Sequence, residues 1–393
     1  MDLRAIADQI GIGEYPSQLD DTYIALGKDN TPACDLDFLD MLQGAYDTFG
    51  QYYPQVRSLA AAVNADPNRS AWIKTCVCYA KGRTRAEMNR IPVPKADGTP
   101  ITAMLPLYIL TGLLPDTLEA YRNRGFSEVE IGRVMRRFWD ALDIRRLQSG
   151  MPGINIVYYT WLTLYVTVGI FELEVLQFEP CKVPDNAVYV KNILTGQIVP
   201  FLNKGMVHKS GLHMLGSVGF TDEEGAFEAT FREDNDNIYG YGCFDGKVDT
   251  QFRAYPKSQW QVYLRPGDDF ISFHIPRGAD ISLETLKSQF DKARQVIKER
   301  YPEYNCRDIF GSSWILDPSL DEIVKPESKI AQLKAQFVVY PVKSDGNSIF
   351  SFVFDGKPKD LHDLPEDSSL RRGVKKMYLE GRYNHIYAGI SLL

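Results

Sequence analysis

The stretch Asp268–Pro318, DDFISFHIPRGADISLETLKSQFDKARQVIKERYPEYNCRDIFGSSWILDP, gathers the residues of this chain best suited to chemistry. It reads as a strand, a tight loop, a helix and a second strand. His274 ends the first strand between the apolar Phe273 and Ile275. An imidazole there suits general-base work near neutral pH, and equally the role of a satisfied structural histidine. In the loop that follows, Arg277 offers charge and Gly278 permits close backbone approach. The N–H groups of the helix behind the loop form a site for a phosphate or pyrophosphate. Asp280, Ser282 and Glu284 also suit capping that helix themselves, which leaves a plain loop. On the second strand, Ser312 and Ser313 put two hydroxyls beside Trp314. Gly311 within a strand marks a bulge or the close approach of another group. The competing reading there is a core tryptophan with both hydroxyls bonded to backbone.

Other segments carry weaker signals. His208-Lys-Ser-Gly-Leu-His213 lacks the helical spacing and acidic partner of a zinc pair, so no metal is expected. Asp234–Gly242 looks superficially like a calcium loop. Ile238 and Tyr239 stand where a ligand and the obligatory glycine belong, and no Glu closes it, so it reads as a polar turn. No Walker loop, G-x-G-x-x-G or G-x-S-x-G occurs, which disfavours nucleotide-hydrolysing, dinucleotide-binding and α/β-hydrolase readings.

The chain has 393 residues, 44% hydrophobic and 24% charged, with a net charge of −7. That is material for a large core and for two domains or more. The acidic balance argues against a nucleic-acid partner. Six cysteines without a C-x-x-C pair read as free thiols in a reducing compartment. The N-terminus lacks the basic start and apolar run of a signal peptide. The apolar run Ile154–Phe171 is broken by Asn155, Thr and Gly and followed by Glu172 and Glu174, which fits a buried helix better than a membrane span. The expectation is a protein without a membrane partner, located in the cytoplasm.

These residues need elements to hold them. Residues 1–150 read as helices, clearest over Phe126–Leu147, where Ser127 and Glu130 form a capping box and Ile131, Val134, Met135, Phe138 and Leu142 a buried stripe. Its arginines 133, 136, 137, 145 and 146 read as a solvated basic face, with an anion site as the alternative. Ser149–Gly153 is the expected domain boundary. Beyond it come an apolar helix, a strand over Leu173–Phe178 and short β runs to residue 275. Ser282–Arg300 is a helix whose apolar face is Leu283, Leu286, Phe290, Ala293 and Ile297, and Asp308–Leu316 a strand. Phe337–Val342 with Ser348–Phe354 reads as a hairpin, Ser368–Gly381 as a helix and His385–Leu393 as a last strand. A β-α-β unit among antiparallel strands makes the fold class α+β.

Four segments carry a resemblance. Phe273-His-Ile-Pro-Arg-Gly278 with Phe310-Gly-Ser-Ser-Trp-Ile-Leu-Asp-Pro318 resembles the "HIP-x-G … SWLL-x-P" signature of a bacterial acyltransferase-domain family. Leu176-Gln-Phe-Glu179 and the tail Leu364–Leu370 resemble its other motifs. Members join an N-terminal helical N-acyltransferase domain to a GNAT-like C-terminal domain with a mostly antiparallel, extended sheet. The resemblance implies a helical domain over 1–150 and a GNAT-like α+β domain over 151–393. It implies acyl-CoA as co-substrate and transfer of an acyl group to an amine on a small molecule. It further implies that Asp269–Ile275 and Asp308–Leu316 are splayed neighbours. Phe273, Ile275, Arg277, Gly278, Ala279 and Ser282 would then meet the cofactor. His274 would be the base, Ser312 or Ser313 the acid, and Trp314 part of the substrate pocket. The loop Pro276–Asp280 departs from the Gly-x-Gly pattern usual in GNAT enzymes, and Asp280 brings a negative charge.

The competing reading is a non-catalytic small-molecule binding protein on a degenerate GNAT fold. A hydrolase using Asp317 and Asp321 is a third.

Overall fold

A computed structural model describes every residue except 1, 28, 30, 95–97, 221–224 and 355. The chain forms two compact units, residues 1–172 and 173–393. They divide at Glu172/Leu173, not at the Ser149–Gly153 segment. The helix Ile156–Val166 belongs to the first unit because its surroundings hold it there. Ile154 N donates to Ala103 O at 3.0 Å, and the Thr117 and Tyr121 hydroxyls bond the carbonyls of Val166 and Ile170. Gly153 is a contact point rather than a linker: a Cβ there would lie 2.6 Å from Ala103 O.

The first unit is helical apart from Phe171–Glu172. Its longest helix, Glu128–Ser149, starts with the Ser127/Glu130 capping box and buries Ile131, Val134, Met135, Phe138 and Leu142. On the same helix Arg137 grips Glu172 through Nε and Nη2, one edge of its guanidinium, at 2.6 and 2.9 Å. Burial pushes the Glu172 carboxyl up against the pull of Arg137, so this ion pair lies at the margin where desolvation competes with attraction. The stretch Pro100–Asn123 is long and apolar enough to cross a membrane by composition. Its apolar side chains are mostly buried within this unit, and Gly112–Leu113 separates it into two helices.

The second unit contains two large β-sheets and a two-stranded pair, Met206–Val207 with Phe227–Glu228. In the first, five strands of the unit run in the order Gln177–Lys182, Asp269–His274, Ile309–Ser313, Tyr387–Ser391, Phe337–Pro341. All neighbours are antiparallel except Asp269–His274 with Ile309–Ser313, which are parallel and joined by the helix Leu283–Arg300. That helix covers one face, where Phe290 meets Phe178 and Phe273 edge-on. The other face packs against the second sheet through Phe270, Phe310, Tyr340 and Ile390 on one side and Tyr189, Leu202 and Cys243 on the other. Most of the remaining strands form a second antiparallel sheet.

Two expectations are corrected. Residues Asn237–Gly242, read as the end of a polar turn, belong to an eight-residue strand, Asn237–Phe244, in the second sheet. Of Ser348–Phe354, read as half of a hairpin, Ser348–Val353 is a short helix that buries Ile349, Phe350 and Val353. Phe350 packs edge-on against Tyr378, 4.7 Å between ring centres.

Candidate active site

The parallel pair registers at only two positions, Ile271↔Ile309 and Ser272↔Phe310. Both strands then continue without pairing to each other. Asp269–His274 keeps its antiparallel partner as far as His274↔Gln177, and Ile309–Ser313 keeps its own as far as Ser313↔Tyr387. The strands therefore part between Phe273–His274 and Gly311–Ser313. Strand alternation puts His274 on the face of Phe270, and Ser312 on the face of Phe310, the same face of the sheet.

At this opening His274 Nε2 lies 3.2 Å from Glu179 Oε2. Glu179 stands on the neighbouring strand opposite Ser272, so strand pairing itself brings the carboxylate within reach of the imidazole. Both side chains are only partly exposed, 29% for His274 and 15% for Glu179. Glu179 also receives the Cys181 thiol at 2.7 Å through its other oxygen. A donor Nε2–H on a carboxylate fixes the tautomer in which Nδ1 carries the lone pair. That is an imidazole oriented by a carboxylate. Sequence reading missed Glu179 as a site residue; its only signal was the Leu176–Glu179 motif.

The hydroxyls differ. Ser313 Oγ accepts from Ile315 N at 3.3 Å and caps the short 3₁₀ turn Trp314–Leu316. Ser312 is exposed at the opening. Trp314 is not on a strand: its ring stacks on Phe352, 6.4 Å between centres, and its carbonyl accepts from Asn384 Nδ2. Gly311 has a clear reason. A Cβ there would lie 2.6 Å from Phe273 Cε1, because the Phe273 ring crosses over it. The Phe273 side chain is therefore core, stacked on Phe337, and only its backbone reaches the opening.

The loop after His274 is a tight turn closed by Ala279 N to Pro276 O at 3.1 Å. Gly278 takes φ +78°, a conformation that glycine adopts without strain. Arg277 and Gly278 are exposed. At the helix start, Ser282 Oγ caps Thr285 N, and Asp280 accepts from Ser282 N, Ser282 Oγ, Thr285 Oγ1 and Lys329 Nζ. Lys329 and these hydroxyls hold the Asp280 carboxyl well below the usual carboxylate range. The charge of Asp280 is thus matched by Lys329 rather than left facing the loop. The N–H groups of Leu283 and Glu284 make no hydrogen bond among the described residues.

Asp317 is buried elsewhere in this region, 2% exposed. Its oxygens accept from Ser319 N, Asn384 Nδ2 and His385 N at 2.8, 3.0 and 2.6 Å. Asp321 is exposed and paired with Lys334. The two carboxylates do not form a hydrolytic pair. The His208 ring bonds Ser210 at 2.8 Å, while His213 is partly buried on the far side of the same short loop.

Parallel strands that splay beside a helix-forming loop define the GNAT class of α+β folds. The chain belongs to the GNAT-like C-terminal domain family, whose profile matches residues 170–391. No curated protein matches it. Among solved structures, it is similar to an acyltransferase variant in complex with octanoyl-CoA, at TM-score 0.65 and 17% identity over 100% of this chain and 99% of that one. It is also similar to an acyltransferase in complex with decanoyl-CoA and teicoplanin, at TM-score 0.64 and 18% identity over 100% and 99%. A third, an acyltransferase in complex with decanoyl-CoA, aligns at TM-score 0.63 and 18% identity over both whole chains. The likeness covers the helical unit as well as the sheet domain, so the two-part architecture is that of these acyltransferases.

Proposed function

We propose that this chain is an acyl-CoA-dependent N-acyltransferase that moves an acyl group to an amine, with His274 as the base and Glu179 as its positioning residue. The observation that carries the reading is the His274–Glu179 pair at the mouth of the splayed strands. The neighbours' complexes with octanoyl-CoA and decanoyl-CoA support an acyl-CoA donor with a medium-length chain.

The residues present fit such a donor. Arg277, the glycine turn at Gly278 and the N–H groups of Leu283 and Glu284 would hold its phosphates. Ile275 and Ala279 would flank it, and Ser282 would act only by shaping the helix start, since its hydroxyl is the cap. His274 takes a proton from the amine as nitrogen attacks the thioester carbon. Backbone N–H groups at the parted strands stabilise the oxyanion. The carbon–sulfur bond then breaks, the amide forms, and Ser312 at the opening relays a proton to the leaving thiolate. Six free cysteines support a reducing, cytoplasmic setting for this reaction.

The testing experiment is calorimetric titration with acetyl-CoA, octanoyl-CoA and decanoyl-CoA, followed by thiol release with amine acceptors. Saturable binding is expected, tighter for the longer chains. No binding at millimolar acyl-CoA overturns the reading, and binding without turnover favours the degenerate-fold alternative.

Glu179→Gln removes the negative charge and keeps the shape. Because a small misplacement of a catalytic group costs about a hundredfold in rate, kcat should fall by that order while acyl-CoA affinity holds. Steady-state kinetics separate the two, and a fall confined to KM would remove Glu179 from its positioning role.

A further inference from the structure

A second site lies in the helical unit. A cavity of about 220 Å³ opens among Val93, Thr102, Arg145, Met151, Ile154 and Asn155. That volume is several times the ~30 Å³ share of one liquid water. Arg145 reaches it from the basic helix Glu128–Ser149. Two other arginines of that helix are paired: Arg137 with Glu172 and Asp140, Arg146 with Asp143. Arg145 is not. No carboxylate, carbonyl or hydroxyl among the described residues bonds its guanidinium, and its Nε is enclosed without an acceptor. An enclosed donor without an acceptor is unfavourable unless something completes it. The rest of the wall is mainly apolar, with Thr102 and Asn155 as the polar exceptions among the residues named.

We propose that this cavity binds a small aliphatic monocarboxylate, with its carboxylate on Arg145 and its chain along Val93, Met151 and Ile154. A guanidinium presents paired donors that match a carboxylate, and apolar walls reward a short hydrocarbon tail. A hydrated inorganic anion would gain only the first of these. The site is independent of the acyl-transfer reading and stands or falls without it.

The test is thermal unfolding and calorimetry of the full chain with sodium hexanoate, hexylamine and sodium phosphate at matched ionic strength. Hexanoate should raise the unfolding temperature in a concentration-dependent way. Hexylamine should not, and phosphate should do so less. Arg145→Met should lower hexanoate affinity by about tenfold or more, the loss of a charge-assisted pair. It should unfold without ligand at the same temperature or higher, since it removes a cation that has no partner among the described residues. Arg145→Lys, which keeps the charge and loses the fork, should bind severalfold more weakly and covers the case in which the methionine variant does not fold. The proposal is overturned by a wild-type chain that ignores hexanoate, by hexanoate affinity unchanged in either variant, or by phosphate acting as strongly as hexanoate. A ligand-free Arg145→Met that unfolds at a lower temperature also overturns it, because it reveals a partner within the protein.

Discussion

His274→Ala should lower kcat for amine acylation by about 10²–10⁴-fold, the usual contribution of a positioned base. Its unfolding temperature should barely move. The imidazole sits at a strand end and is 29% exposed, so few packing contacts are lost. The backbone pairing of His274 with Gln177 does not depend on the side chain. Acyl-CoA affinity should also persist, because the loop residues 275–282 remain. Steady-state kinetics with calorimetry of acyl-CoA binding check this. Retained kcat in a folded His274→Ala chain removes the histidine from the chemistry and leaves only the fold. A fall in stability comparable to the loss of activity would mark His274 as structural.

Asp317→Ala should have the opposite profile. It should destabilise the sheet-containing unit by about 3–5 kcal/mol, because three buried donors lose their acceptor. Those donors are Ser319 N, Asn384 Nδ2 and His385 N. For a unit of this size that corresponds to a drop of roughly 10 °C in unfolding temperature. Burial pushes the Asp317 carboxyl up although its donors pull it down, which shows how far it is withdrawn from water. Asp317→Asn should cost less, since the amide oxygen still accepts while its NH₂ faces a donor. Below its transition the asparagine variant should keep wild-type activity, because the carboxylate faces inward. Differential scanning calorimetry and kinetics below the transition decide this. Loss of turnover without loss of stability would return Asp317 to the list of catalytic acids.

Much of the fold was legible because local signals agreed with tertiary structure. The Ser127/Glu130 capping box, the apolar stripe behind it and the face of Leu283–Arg300 all fall where periodicity places them. The splay of the two parallel strands was implied by the motif resemblance and is present. The strand Asn237–Phe244 was hidden by its composition. Alternate inward positions are Ile238, Gly240 and Gly242, and glycine carries no β signal. The structure shows why glycine is there: a Cβ on Gly240 would lie 2.6 Å from the Phe201 ring. The polar turn before it does exist, held by Asp234 accepting from Asp236 N and Asn237 N, but it ends earlier than composition implied. Ser348–Phe354 misled in the other direction. Its aromatic, β-branched run has strand propensity, and packing of Phe350 on Tyr378 overrides it.

At the site, His274 was legible as a strand-end imidazole, and its partner was not. Glu179 lies 95 residues away, and only the antiparallel pairing of Gln177–Lys182 with Asp269–His274 brings them together. No spacing rule spans that interval. Phe273 was assigned to the cofactor because it adjoins His274, yet alternation sends its ring to the opposite face.

That 95-residue separation has a kinetic meaning. Closing so long a loop is entropically slow, and the intervening segment must first build most of the second sheet. The individual helices form from contacts within a few turns and need no such closure, although their packing joins pairs as distant as Tyr52 and Arg146, 94 residues apart. During synthesis or refolding, helical structure therefore comes first, and the His274–Glu179 pair is among the last features to form. A chain halted on its way would carry the helices, and even the cavity beside Arg145, without that pair.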